Sequence, residues 1–424
     1  MFAILIASLS FLIASPFVPN VGGEALEATC VAEAEERIQQ LRTGPFRIHV
    51  SYSNNGSDYQ GKNVDFNLTQ HAFNFGAMFF HYDLSDPTND VYAGLWKDVF
   101  NFAVLPFYYT SWETPDYYPE ESRVNDTIRF CEEHNITMKG HCLMWNHLAG
   151  IPNWLDPIAN HTREEIVADF EDHITSLVGK YKGNISYWDV TNEVVHRGVF
   201  KDLDPVEFTR QCFSWARAAN PQATLIFNEY AIAGHEFGNG DVARFCSALN
   251  EHGVTYDAIG DQVHLMDSDW IPMYEIQASL DGFTRLGKRM HITEIMVPST
   301  PVPITNSWKK GLWSEENQAE YLRRLYTVCF AHPSIDVINY WGFEEPSHHT
   351  GYGLVNHNLS PKQSYVVLKE LIKNTWTTRG TALTNTSGWI NFTGFFGNYN
   401  VTIGGKIFQV NTSPGAANEF LLEV

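Results

Sequence analysis

Basic residues are scarce in this chain: 28 Lys and Arg stand against 49 Asp and Glu, a formal net charge of −21. Phosphate backbones and anionic membrane surfaces repel such a chain, so nucleic-acid binding is not expected. Long apolar runs are also lacking. Phe2–Ala14, FAILIASLSFLIA, is too short to cross a bilayer comfortably and suits the apolar core of a signal peptide. Residues 1–23 are read as that signal, with cleavage between Ser15 and Ala25. No later stretch reaches 18 apolar residues, so no membrane association is expected after cleavage. None of the six cysteines lies in a C-x-x-C pair, which argues against a structural zinc site. No G-x-G-x-x-G follows the first strand candidate, which argues against a doubly wound nucleotide-binding sheet. The 30 Gly and 12 Trp are dispersed and form no repeat. No metal and no cofactor are expected.

What is present is globular: 424 residues, 44% hydrophobic and 14% aromatic. The length suits one large barrel with an accessory module. N-x-[S/T] occurs at Asn55, Asn67, Asn125, Asn135, Asn160, Asn184, Asn358, Asn385, Asn391, Asn400 and Asn411, where chance placement gives roughly four. The excess points to a secreted, extracellular and N-glycosylated protein. Cys212 and Cys246, on successive helix candidates, are the expected disulfide among the 15 connectivities that six cysteines allow.

From Phe73 to Trp376 short β-rich runs alternate with amphipathic helical stretches. The strand candidates are Phe73–Phe80, Phe102–Pro106, Thr137–Leu143, Ile185–Glu193, Ala223–Tyr230, Ala258–Leu265, Arg289–Ile295 and Ile335–Phe343. Helices are expected over Thr162–Gly183, Pro205–Asn220, Gly240–Gly253, Met273–Gly287, Ser314–Pro333 and Lys362–Trp376. In Ser314–Pro333 the residues Ala319, Leu322, Leu325, Tyr326 and Cys329 recur at helical spacing, and Pro333 ends the run. Eight strands alternating with helices imply parallel pairing and close naturally into a (β/α)8 TIM barrel over residues 73–376. Residues 24–72 read as a lead-in, with a helix over Cys30–Arg42 and a hairpin over Arg47–Leu68 turning at Asn54-Asn55-Gly56. Residues 377–424 read as a small C-terminal β-sandwich whose Trp389, Phe392, Phe395, Phe396 and Tyr399 serve as its core or, alternatively, as a sugar platform.

A parallel barrel works at the C-terminal ends of its strands, and the unusual residues gather there. Glu193 and Glu294 close two apolar strands. An unpaired buried carboxylate is costly, so two that face one cavity point to acid and base roles. Carboxylates beside aromatic rings are the equipment for breaking a glycosidic bond: one protonates the leaving oxygen, the other attacks the anomeric carbon or activates water. Aromatic faces pack on sugar C–H surfaces, while Asn, Gln and His bond hydroxyls. His141 and His264 lie at strand ends near Trp145 and Gln262. His348-His349 is not read as a metal site, because adjacent residues rarely share one ion.

The chain resembles glycoside hydrolase family 10, the endo-β-1,4-xylanase family, through GHCLMW (140–145), WDVTNE (188–193), FNEY (227–230), DQVHL (261–265), ITE (292–294) and YWGF (340–343), in the family's order over about 280 residues. The resemblance implies a retaining mechanism, with Glu193 as acid/base and Glu294 as nucleophile. It places Asn192 on the sugar 2-hydroxyl and His264 as support for Glu294. His141, Trp145, Gln262 and Trp341 would line the subsite beside the scissile bond, with Asn228 and Tyr230 near the leaving-group side. The partner it implies is a polysaccharide, xylan or a related cell-wall β-glycan, cut internally by a monomeric enzyme.

The sequence departs from the family pattern at three places. The Glu-Asn-x-x-Lys-Trp run expected after strand 2 is replaced by Phe107-Tyr108-Tyr109-Thr110-Ser111-Trp112, which exchanges hydrogen-bonding groups for rings. Met296 stands where the family carries the Asp that supports the strand-6 histidine. The second Trp after strand 8 has no counterpart, and His348 or His349 occupies that region. Two other readings follow: a glycan-binding barrel without turnover, and a barrel glycosidase or transglycosylase for a different β-glycan.

Overall fold

The computed structural model describes residues 22–155, 161–196, 198–234, 240–265, 268–345 and 350–424. The expected signal segment, the Asn160 sequon and the His348-His349 pair lie outside the described residues.

Eight parallel strands form a closed barrel: β3 (Asn74–Met78), β4 (Phe102–Pro106), β5 (Thr137–Trp145), β6 (Tyr187–Asn192), β7 (Thr224–Glu229), β8 (Ala258–Asp261), β9 (Arg289–Ile295) and β10 (Ile335–Tyr340). β10 returns to β3 through Ile338 opposite Phe75, which closes the ring. All eight match the predicted runs, two of them to the residue. Around them lie α2 (Asn89–Lys97), α3 (Glu121–Glu133), α4 (Arg163–Lys180), α5 (Pro205–Ala219), α6 (Asp241–Glu251), α7 (Met273–Phe283), α8 (Glu315–Phe330) and α9 (Gln363–Glu370). Their starts have local causes. Thr162 and Glu165 form a reciprocal capping box at α4, Asp204 caps α5 ahead of Pro205, and Ser314 accepts from the N–H of Asn317 at α8.

Outside the barrel, α1 (Gly23–Arg42) leads into β1 (Thr43–Ser51) and β2 (Asn63–His71). Here the structure corrects the sequence reading. Gly56 does sit in a turn, with φ +69°, but β1 and β2 do not pair as a hairpin. Each enters a different sheet. β1 lies between β12 (Trp389–Phe395) and β15 (Glu419–Glu423); β2 lies between β11 (Arg379–Leu383) and β13 (Gly397–Ile403), which pairs in turn with β14 (Lys406–Thr412). The cause is the inward row on each strand. Phe46, Ile48 and Val50 on β1 and Val64, Phe66 and Leu68 on β2 are all buried, and two such faces are covered by opposing each other across a sandwich rather than by lying side by side. Phe66 stacks on Phe392 at 3.9 Å between centroids, and Phe46 meets Phe392, Phe396 and Tyr399 edge-on. The C-terminal strands therefore complete two sheets that β1 and β2 begin, and Phe392, Phe395, Phe396 and Tyr399 join the core, whereas Trp389 lies on the outer face against His49 and Arg47.

α1 is fastened to the barrel wall by a buried carboxylate. Glu27 is 0% exposed and accepts from Trp308 Nε1 (2.7 Å), Arg324 (2.8 Å), Trp270 Nε1 (3.3 Å) and the N–H of Met273 (3.4 Å). The expected Cys212–Cys246 disulfide is not formed. All six cysteines are free and buried, and Cys212 and Cys246 occupy the inner faces of α5 and α6 as small apolar groups.

Candidate active site

At the C-terminal end of β6 the chain passes from Asn192 into Glu193, whose φ is +54°. Val263 after β8 (φ +51°) and Ala231 after β7 (φ +59°) are left-handed as well. Each such residue costs on the order of 1 kcal/mol or more unless its surroundings over-determine it, and such residues gather at functional sites. Glu193 is held by its own N–H, which donates to the carbonyl of Asn228 at 3.0 Å.

The side chains at this rim form one connected set. Trp145 Nε1 donates to Glu193 Oε2 at 3.0 Å, and Gln262 Nε2 reaches Glu193 Oε1 at 3.3 Å. The same Gln262 nitrogen donates to Asn192 Oδ1 at 3.1 Å, and Asn228 Nδ2 donates to that oxygen at 2.8 Å. Asn228 Nδ2 also donates to Glu294 Oε1 at 2.6 Å, while Thr293 Oγ1 donates to Asn228 Oδ1 at 2.6 Å. Three amides thus bridge Glu193 to Glu294. Gly260 makes room for the bridge: a Cβ there would lie 2.3 Å from Asn228 Oδ1.

Glu294 is 3% exposed. Burial alone would raise its pKa, but nearby His141, His264 and Lys139 outweigh it and hold the carboxyl below the ordinary glutamate range. His264 Nε2 stands 3.3 Å from Oε2 and His141 Nδ1 stands 3.7 Å from Oε1. Behind them, Asp189 Oδ2 lies 2.8 Å from His141 Nδ1 and 2.7 Å from Lys139 Nζ. Burial would also raise Asp189, yet Lys139 and His141 keep it below the usual carboxylate range. The arrangement presents a carboxylate held ionised opposite a second carboxyl gripped by an indole and an amide. It suits attack from one side and proton exchange from the other.

Eight of the predicted residues therefore meet: Glu193, Glu294, His141, Trp145, Asn192, Asn228, Gln262 and His264. Trp341 joins through its ring, 5.0 Å from that of His141. Tyr230 is turned to His196, with ring centroids 4.3 Å apart. Met296 clamps the His264 segment by backbone alone: its N–H donates to Val263 and its carbonyl accepts from Leu265. Phe107 is fully buried against Trp188 and Tyr181. Tyr108 faces the site, 5.2 Å from His141 and 6.0 Å from Trp145 by ring centroids.

Sequence reasoning did not assign Lys139, Asp189 or Thr293 to this site. Lys139 and Asp189 carried a readable signal, because single opposite charges inside neighbouring buried strands need each other.

Comparison with known proteins follows the same lines. Residues 120–371, more than half of the chain, match the model of Glycosyl hydrolase family 10. Endo-1,4-beta-xylanase B of Thermotoga neapolitana is 29% identical over 307 residues, covering 68% of this chain and 85% of that protein. The anti-sigma-I factor RsgI6 of Acetivibrio thermocellus is 28% identical over 394 residues, covering 92% of this chain but only 48% of that protein. Endo-1,4-beta-xylanase 2 of Arabidopsis thaliana is 26% identical, with 82% of this chain and 31% of that protein covered. The chain thus spans half or less of the length of two of these three relatives. Among solved structures, xylanase 10B of Thermotoga petrophila in complex with xylobiose aligns with TM-score 0.61 and 26% identity over 72% of this chain and 95% of that one. The eight-stranded barrel, the bridged carboxylates at its rim and the matched span agree: this chain belongs to glycosyl hydrolase family 10.

Proposed function

We propose that the chain is a secreted, N-glycosylated, retaining endo-β-1,4-xylanase that acts as a monomer on xylan or a closely related β-glycan. The observation that carries this reading is the amide bridge from Glu193 to Glu294 at the barrel rim. In the first step Glu193 protonates the glycosidic oxygen while Glu294 attacks the anomeric carbon, forming a glycosyl-enzyme and releasing the leaving chain. In the second, Glu193 takes a proton from water, which displaces Glu294. The depressed pKa of Glu294 supports its part as the ionised nucleophile. Asn192 already accepts two hydrogen bonds at its oxygen, which leaves its N–H groups to donate to a sugar hydroxyl beside the reacting carbon. Trp145, Trp341 and His141 supply ring faces and a donor to the bound sugar, and Tyr230, packed against His196, is the remaining candidate on the leaving-group side. The relatives named as xylanases support xylan as substrate.

Reducing-sugar release from soluble xylan, with Glu294→Ala as control, tests the reading. The expected result is release by the parent protein and none by the variant, with the product first appearing in its β-anomeric form by NMR. Binding of xylan without release by either protein would favour a glycan-binding barrel, a second reading that the ring-for-amide exchange at Tyr108 supports. Release from another β-glycan but not from xylan would move the substrate.

A further inference from the structure

Glu229 is the last residue of β7 and neighbours Asn228, yet it belongs to the other face of the strand. Asn228 turns into the barrel mouth toward Glu294, and Glu229 turns outward, as strand alternation requires. Its carboxylate is 0% exposed. Oε2 accepts from the N–H of Val195 at 2.9 Å; Oε1 accepts from the N–H of Tyr230 at 3.1 Å and lies 3.0 Å from His196 Nδ1. A carboxylate so deeply buried is costly without such donors. Two of the three come from one short segment, residues 194–196, which directly follows Glu193.

That segment sets where Glu193 points. Glu193 is in the left-handed region, and its own N–H is tied to the backbone of Asn228. Two residues on, the N–H of Val195 is tied to Glu229. The turn carrying Glu193 is thus anchored twice to the end of β7, once through main chain and once through the buried carboxylate. His196 also holds the turn: the hydrogen bond with Glu229 keeps its imidazole above the ordinary range, while burial raises the Glu229 carboxyl.

We propose that Glu229 is a positioning residue for the acid/base group, acting through the 194–196 turn to aim Glu193 at the glycosidic oxygen. This inference rests on the assignment of Glu193 above. It touches no substrate and does not shape the nucleophile, whose partners are Asn228, His264 and His141. Its effect therefore falls on proton transfer.

The test uses that selectivity. kcat/KM, which reports the first step, is measured for Glu229→Gln on two substrates: 2,4-dinitrophenyl β-xylobioside, whose leaving group departs without a proton, and xylotetraose, whose leaving group needs one. The expected result is a loss of tenfold or more on xylotetraose, with the dinitrophenyl substrate within about twofold of the parent, since general acid catalysis contributes about 10²–10⁴-fold. Equal losses on both substrates would mean that Glu229 only holds the fold together, and would overturn the proposal. Glu193→Ala is run in parallel. If it shows no such split, the acid/base assignment fails; if it splits and Glu229→Gln does not, the positioning role alone fails. Glu229→Asp keeps the buried charge and draws the acceptor back by one methylene. It serves where the amide variant does not fold, and is expected to show the same split at smaller size.

Discussion

Asn228 reaches Glu294 with its side-chain nitrogen at 2.6 Å, from the same residue whose carbonyl receives the N–H of Glu193. One strand end therefore addresses both carboxylates. Asn228→Ala removes the donor to Glu294 and one of the two donors to Asn192. Loss of a preorganised donor at a reacting charge costs about 10²–10³ in rate. A fall of that order in kcat on xylan is the expected outcome, measured on the folded variant.

The acid side of the activity profile follows from Glu294. Its carboxyl lies below the ordinary range, so the group stays ionised, and kcat/KM should hold up, to a pH lower than an ordinary glutamate allows. The linked stability has the same sign. A depressed carboxylate contributes stability above its unfolded pKa and loses it as pH falls through the folded value. After burial, which opposes it, His141 is the largest influence on Glu294. His141→Asn is thus expected to shift the acid limb of kcat/KM upward in a pH series.

Gly260 has no room for a methyl group. The added Cβ would lie 2.3 Å from Asn228 Oδ1 and 2.9 Å from Thr293 Cγ2. Gly260→Ala should displace the amide bridge and lower kcat by tenfold or more, while KM changes less. Steady-state kinetics separates the two.

Tyr108 offers a ring to the cleft where a side-chain amide was expected. Tyr108→Ala removes a face packed near His141 and Trp145. Aromatic contacts of this kind contribute about 0.5–1.5 kcal/mol, so KM for xylo-oligosaccharides should rise up to about tenfold with kcat largely kept. An unchanged KM would show that substrate does not use this ring.

Glu27 tests the lead-in helix. Four donors converge on its fully buried carboxylate. Glu27→Ala removes the acceptor of four donors, and a buried donor left unsatisfied costs about 1–3 kcal/mol. Chemical denaturation should show that loss, with specific activity retained in the folded fraction.

The barrel was legible because parallel strands read as apolar runs that end abruptly in polar residues. Phe102–Pro106 and Arg289–Ile295 match to the residue even though both runs continue into apolar residues, Phe107 and Met296. Glu193 and Glu294 stood out by closing such runs. Tyr230 follows directly on β7, which stops at Glu229, and its ring packs against that of His196. The separation of β1 from β2 was hidden for another reason. Phe46, Ile48 and Val50 announce a buried face, but nothing in their spacing says which distant segment covers it. Lys139 and Asp189 could be read from the sequence as a buried pair, but their place beside His141 follows from the register of β5 and β6, with His141 opposite Asp189.

The shared sandwich also sets the order in which this molecule can be completed. Arg47 on β1 bonds Glu419 on β15 across 372 residues of chain. During synthesis β1 and β2 precede the barrel, each with an apolar face and open edges, and wait until the barrel has been made before their partners arrive. Contacts so remote in sequence are slow to form, and unpaired edges invite wrong pairing in the interval. Closure of the two sheets is the step at which the segments flanking the barrel lock together.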